Sequence, residues 1–292
     1  MAKRAAARNG PGVATSWEPV ADWYVGWVGK DGSRHHQQMA VPALLALLEP
    51  APGEAVLDIG AGPGVLAPAI AAAGARYTGV DASGRMVRFA RRFHGHEGRF
   101  LQADARRLPV VPELRQASFD AVVFLLSIQD MQPLQAVLGS AAWALKPGGR
   151  AVLLMTHPCF RVPRLSGWGW DEARRIRYRR IDRYLSPLPV PMKGYRRGHE
   201  QGATWSFHRP LQAYINGLAA CGLLLDRIKG ETTLLSSLEG DAFDKEYMTL
   251  VTNTQQSVIH VLKTGSTMAR DQEAKQFFGD TTTSVQKRLK TA

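Results

Sequence analysis

The chain of 292 residues and 32.0 kDa has room for one large domain or two modest ones. Its 45% hydrophobic and 21% charged residues are ordinary globular composition, which excludes general disorder and a collagen-like chain. The net charge of +12 is concentrated: residues 161–197 hold eleven Arg/Lys against three Asp/Glu, and residues 1–10 add +3.

Residues 1–16 are expected to form a disordered basic tail. They lack the apolar core of a secretory signal, and no stretch of the chain reaches the ~18 consecutive apolar residues of a membrane span. Met39–Leu48 reads as a helix for a sheet edge. Four short apolar runs follow: Ala55–Ile59, Tyr77–Val80, Ala121–Leu126 and Ala151–Met155. Runs this short, bounded by turn residues, predict strands buried on both faces. A weaker run, Arg99–Gln102, fits between the second and third. Helical patterns alternate with them at Val65–Ala73, Gly84–Arg92 and Pro133–Leu145, and Lys146-Pro147-Gly148-Gly149 stops the last. This order predicts an α/β fold: a Rossmann-like, doubly wound, mostly parallel sheet.

Residues 158–209 break the pattern with Arg, Pro, Gly, Trp and Tyr. They are expected to form a lid insertion over the carboxyl end of the sheet. Its ribbon pairs Arg175–Arg179 with Thr204–His208, because both alternate polar with apolar residues. Ile176 and Tyr178 would face the body, with Trp205 and Phe207 packed on them, leaving His208 to point into the cleft. Pro210–Cys221 then reads as a helix and Leu223–Ile228 as a strand. Asp241–Lys263 carries apolar residues at spacings of three and four, so a helix is preferred there, with a second over Asp271–Lys290. Residues 239–292 would be a helical hairpin extension of a domain spanning 17–238. A competing reading makes Ser257–Lys263 a last strand of the sheet.

The chemistry-bearing residues sit at successive strand ends. Asp58-Ile59-Gly60-Ala61-Gly62-Pro63-Gly64 ends the first strand, and glycines there let the backbone turn sharply and approach a ligand closely. Asp81 ends the second strand, where a carboxylate can accept from both ribose hydroxyls of a nucleotide-like cofactor. Asp104 follows the third. No P-loop lysine is present, which argues against a phosphate-cradling NTPase. His35-His36 lack further ligands, so no metal is expected. Cys159 and Cys221 make neither a disulfide framework nor a CxxC pair, which fits a reducing, cytoplasmic setting.

VLDIGAGPG, TGVDAS, LQADARRLP, FDAVVFLLSIQDM and LKPGGR together resemble the successive motifs of class I S-adenosylmethionine-dependent methyltransferases. The start Trp17–Tyr24 and the segment His157–Arg161 are similar to uncharacterised bacterial members around the quinone-biosynthesis type. The resemblance implies S-adenosyl-L-methionine as cofactor and a methyl acceptor as substrate. Gly60, Ala61 and Gly62 would approach its methionine part, with Asp58 orienting the loop. Asp81 would hold the ribose, Ala82 and Met86 would lie on the adenine, and Asp104 with Ala105 would meet the adenine amino group. Leu125 or Leu126 would face the sulfonium, and Tyr24 would close over the cofactor.

His157 and His208 are the candidate bases, since histidine exchanges protons most readily near neutral pH. Asp130 and Gln129 are placed to position substrate. The arginines of the insertion point to a small-molecule acceptor bearing an acidic group. The alternatives are a methyltransferase for RNA or protein, since Trp168, Trp170, Tyr178 and Tyr184 interleave with the arginines, and a cofactor-binding protein without catalysis. Residues 239–292 depart from the family, which normally closes with an antiparallel seventh strand. They resemble instead part of a ferritin-like helical family of unknown function.

Overall fold

The computed structural model describes residues 17–159, 166–192, 195–197, 200–202, 204–230 and 256–263. Helices α1 (Ala21–Val28) and α2 (Val41–Leu48) lead into an alternating unit: β1 (Ala55–Ile59), α3 (Ala67–Ala72), β2 (Arg76–Asp81), α4 (Gly84–His94), β3 (Gly98–Gln102), β4 (Phe119–Leu125), α5 (Leu134–Ala144) and β5 (Leu145–Thr156). The insertion supplies six short strands: β6 (Ser166–Asp171), β7 (Ile176–Ile181), β8 (Leu188–Pro191), β9 (Tyr195–Arg197), β10 (Glu200–Gly202) and β11 (Trp205–His208). Helix α6 (Leu211–Ala220), β12 (Leu223–Gly230) and β13 (Gln256–Lys263) complete the described chain.

The main sheet runs β12-β13-β5-β4-β1-β2-β3. Strands β1 to β5 pair in parallel, and β13 is antiparallel to both of its neighbours. All five residues of β1 are buried, because helices cover both faces. Leu57 and Ile59 join a core with Val137 and Leu138 of α5 and Tyr214 and Leu218 of α6. Val56 joins the opposite core with Leu44 and Leu47 of α2, Ile70 of α3 and Val87 of α4. The expected doubly wound α/β sheet is therefore present. Helix α4 starts where Ser83 Oγ accepts from the Met86 N–H at 3.1 Å, and Arg91, Arg92 and His94 in its last turn complement the helix dipole. Among the described residues no helix is long and apolar enough to cross a membrane.

Two expectations are corrected. Gln256–Lys263 is the strand β13 and not the end of a helix. Its register joins Ala151 of β5 to Val261 and Val261 to Leu225 of β12. Without it, β5 would leave a row of backbone N–H and C=O groups unpaired at the sheet edge. Val258, Ile259 and Val261 are β-branched, and a run this short satisfies helical and strand spacing alike. The rest of the expected hairpin, residues 239–255 and 264–292, lies outside the described residues, as does the basic tail at 1–16. Val261→Pro is expected to destabilise the fold by ~3 kcal/mol or more, since proline removes a ladder donor from a strand paired on both sides. A lower urea midpoint measures this; an unchanged midpoint would mean β13 is not in the sheet.

The ribbon is the second correction. Strand β7 pairs with β6, Trp168 opposite Arg179 and Trp170 opposite Arg177, while β11 pairs with β8, Trp205 opposite Pro191. Ile176 and Tyr178 are 48% and 47% exposed and do not pack on the body. The two alternating segments each found a different partner.

Candidate active site

The loop after β1 has Gly60, Gly62 and Gly64 at φ +80°, +54° and +87°, a region costly for residues with a Cβ. A Cβ on Gly60 would lie 2.6 Å from both Ser127 Cβ and Met131 Cε. The Gly60 and Ala61 N–H groups donate to Val80 O at 2.8 and 3.0 Å, which ties the loop to the end of β2. There Asp81 accepts from Gly62 N on Oδ2 at 2.9 Å and from Ser83 N on Oδ1 at 2.8 Å. Each carboxylate oxygen keeps a second acceptor site. Burial holds the Asp81 carboxyl above its ordinary range against the pull of those two N–H groups.

Strand β4 ends in strain. Leu126 sits at φ +56°, held by its N–H to Leu154 O at 2.8 Å and by Gln129 Nε2 donating to its carbonyl. Ser127 Oγ donates to Ile59 O at 2.6 Å, closing the floor between β4 and β1.

These strand ends open into a cavity of about 520 Å³, within the size range of small-molecule sites. Tyr24, Gly60, Gly62 and Asp81 line it, as do Ala82 and Met86 beside them. Asp104, Ala105, Leu125 and Leu126 complete the set that the sequence placed here. Burial, then the Asp130 and Asp81 carboxylates, push the Tyr24 phenol up, so that ring lies within electrostatic reach of both carboxylates. Asp104 brings an unforeseen neighbour. Arg106 clamps both of its oxygens, with Nη2 2.6 Å from Oδ2. Burial raises the Asp104 carboxyl, but the guanidinium and the Arg106 N–H leave it net below its usual value.

Two residues expected near the cofactor lie behind the wall. A Cβ placed on Gly79 would meet the Ala61 methyl at 2.9 Å, so that methyl faces β2. Asp58 is 1% exposed and accepts from Tyr77 Oη at 2.7 Å on Oδ2, while its Oδ1 has no partner among the described residues. Burial, with the Asp81 charge, pushes Asp58 up to about 7 against the Tyr77 hydrogen bond. The folded state therefore favours protonated Asp58, and its stabilisation is lost as pH rises from about 4, the unfolded value, to about 7. Asp58→Asn keeps an acceptor for Tyr77 and cannot ionise. Its stability relative to wild type should rise between pH 4.5 and pH 7.5 by on the order of a few kcal/mol, read as a growing difference in melting temperature. A pH-independent difference would show that Asp58 does not titrate in this window.

Neither candidate base reaches the cavity. His208 is buried, with Nε2 2.8 Å from Tyr184 O. The alternation of β11 decides this: Trp205 and Phe207 take the cavity side, so Ser206 and His208 take the other. His157 Nδ1 accepts from Cys159 N at 3.2 Å, and burial lowers its pKa. In the wall stand instead Asp130 and Ser127 after β4, together with Trp17, Trp205 and Phe207. Strand parity carries the signal for the two β11 aromatics, but the structure turns them to the cavity and not to the body as expected. Among the described residues no group of three or more His, Cys, Asp or Glu is placed to hold a metal ion.

The family model described as a methyltransferase domain matches residues 56–149. A second, a domain of unknown function (DUF4142), matches residues 224–292 and so takes in most of β12 and all of β13. A demethylmenaquinone methyltransferase of Tropheryma whipplei is 39% identical over 111 residues, 36% of this chain and 44% of that one. A ubiquinone biosynthesis O-methyltransferase of Idiomarina loihiensis is 35% identical over 98 residues, 34% of this chain and 40% of that one. The chain thus spans less than half the length of either relative. An S-adenosylmethionine-dependent methyltransferase from Mesorhizobium loti superposes with a TM-score of 0.61 at 23% identity, covering 80% of this chain and 100% of that one, which shows the fold. With the glycine loop after β1, an acid at the end of β2 and an antiparallel strand inserted beside β5, the chain has the fold of S-adenosylmethionine-dependent methyltransferases, and residues 56–149 within it match a methyltransferase domain.

Proposed function

We propose that the protein transfers a methyl group from S-adenosyl-L-methionine to a small-molecule acceptor bearing an acidic group, in a cytoplasmic setting. The observation that carries this reading is one cavity lined both by Gly60, Gly62 and Asp81 and by Asp130, Trp205 and Phe207. The first three fit the cofactor: the loop excludes a Cβ at Gly60, and Asp81 has acceptor capacity left on both oxygens. When bound, the cofactor supplies a methyl group already activated by its sulfonium. Asp81 would hold the ribose hydroxyls, Ala82 and Met86 would pack on the adenine, and Asp104 with Ala105 would meet its edge. Leu125 and Leu126 would flank the sulfonium, and Tyr24 would close the site. The protein's part is then mostly proximity and orientation, worth roughly 7–11 kcal/mol in well-aligned cases. Asp130 occupies the position for accepting an acceptor proton, in place of His157 and His208. The described strands β6–β11 of the insertion would act as a lid whose β11 aromatics exclude water.

The test has two parts. Calorimetry with S-adenosylhomocysteine should show binding, and methyl-labelled cofactor with a metabolite extract should label a small anionic product. Wild-type protein that binds no S-adenosylhomocysteine would defeat the reading. A second reading, an RNA acceptor, rests on exposed Trp170 and Tyr178 among the arginines of the β6–β7 ribbon; a salt-sensitive gel shift with RNA would favour it.

A further inference from the structure

Resting on that reading, we propose that Arg209 and Gln129 form the recognition subsite for the acceptor, binding a carboxylate and a hydroxyl beside it on a flat ring. Arg209 follows β11 and is only 8% exposed. Its Nη2 donates to Met131 O at 2.6 Å, and its guanidinium lies 5.3 Å from the centre of the Phe207 ring and 6.0 Å from that of Tyr214. Neither a carbonyl nor a ring neutralises the charge, and Arg209 makes no ion pair among the described residues. Its Nη1 is buried with no hydrogen-bond partner among them. A buried cation left this way is costly, and an arriving anion recovers that cost. Gln129 repeats the pattern with the opposite polarity. Its Nε2 donates to Leu126 O, while its Oε1 is buried with no partner among the described residues.

Neither side chain is itself in the cavity wall, but each abuts residues that are. Met131 and Phe207, which Arg209 touches, line the cavity, and Gln129 lies between Ser127 and Asp130, which also line it. One free amino group of the guanidinium and one free amide oxygen match one carboxylate and one hydroxyl donor. Phe207 and Trp205 offer faces for the ring that carries them. Nη1 is buried, so entry of an anion requires the side chains that cover it to move aside.

The probes are 2-hydroxybenzoate, its neutral amide 2-hydroxybenzamide, and benzoate, each titrated into protein saturated with S-adenosylhomocysteine. Wild type should bind 2-hydroxybenzoate at least tenfold tighter than the amide. Arg209→Met should lose that preference while keeping its S-adenosylhomocysteine affinity. Gln129→Leu should lose the preference for 2-hydroxybenzoate over benzoate and keep the preference for a carboxylate over the amide. Should Arg209→Met fail to fold, Gln129→Leu and the wild-type preference decide alone. Equal binding of carboxylate and amide by wild type, or unchanged preference in Arg209→Met, overturns the subsite. Failure of wild type to bind S-adenosylhomocysteine overturns the underlying function instead, so the two failures are told apart.

Discussion

Gly60→Val is expected to leave no measurable affinity for S-adenosylhomocysteine in calorimetry. At φ +80° a β-branched residue is strained by roughly 1–3 kcal/mol before any contact is counted. Its Cβ would also overlap Ser127 Cβ and Met131 Cε, each 2.6 Å away. Ser127 cannot retreat freely, because its hydroxyl is bonded to Ile59 O at 2.6 Å. The loop would move instead, giving up the Gly60 N–H bond to Val80 O and shifting Gly62 away from Asp81. Gly62→Ala is the matched control. Nothing in the protein lies within 4 Å of its added Cβ, so the fold bears only the backbone cost of about 1–2 kcal/mol, and any further loss of affinity reports how closely the cofactor approaches. Wild-type affinity in a folded Gly60→Val protein would reduce this loop to an ordinary turn.

Asp81→Ala should weaken S-adenosylhomocysteine by about 2 kcal/mol, close to thirtyfold, because ribose hydroxyls in a closed site lose their acceptor. The substitution also strips the Gly62 and Ser83 N–H groups of their partner, so a modest fall in melting temperature accompanies it. Asp81→Asn separates the effects. It keeps one acceptor oxygen but must present an amide donor to one of the two N–H groups, so affinity should fall between wild type and alanine. If folded Asp81→Ala binds within twofold of wild type, the ribose assignment is wrong.

The parallel half of the fold was readable because β1, β2, β4 and β5 are buried on both faces and so appear as bare apolar runs. The cofactor end was readable for a related reason: Gly60, Gly62 and Asp81 sit at fixed offsets from those runs, and the strands carry them into place. The acceptor end was not. Trp205 and Phe207 lie in the last of six short strands, and Arg209 just after it, and the partners of those strands are set by tertiary placement. Alternation alone fits β7 to β6 as well as to β11. Arg106 was passed over because nothing in a run of ADARR marks one arginine as the one that folds back on Asp104. The β13 misreading has the same root, since eight residues are too few to separate two periodicities.

The position of β13 has a consequence for synthesis. Thr156 of β5 pairs with Gln256, a full hundred residues later in the chain. A ribosome making about 5–20 residues per second needs several seconds to cover that interval. Throughout it, β1 to β5 can assemble as a parallel sheet while the far side of β5 stays open. Such an edge is a template for other nascent chains. The strand that seals it is delivered only after that interval, so the hazard of misassembly falls on the incomplete polypeptide. Helper proteins that shield exposed strands would be needed during translation and dispensable once residue 263 has docked.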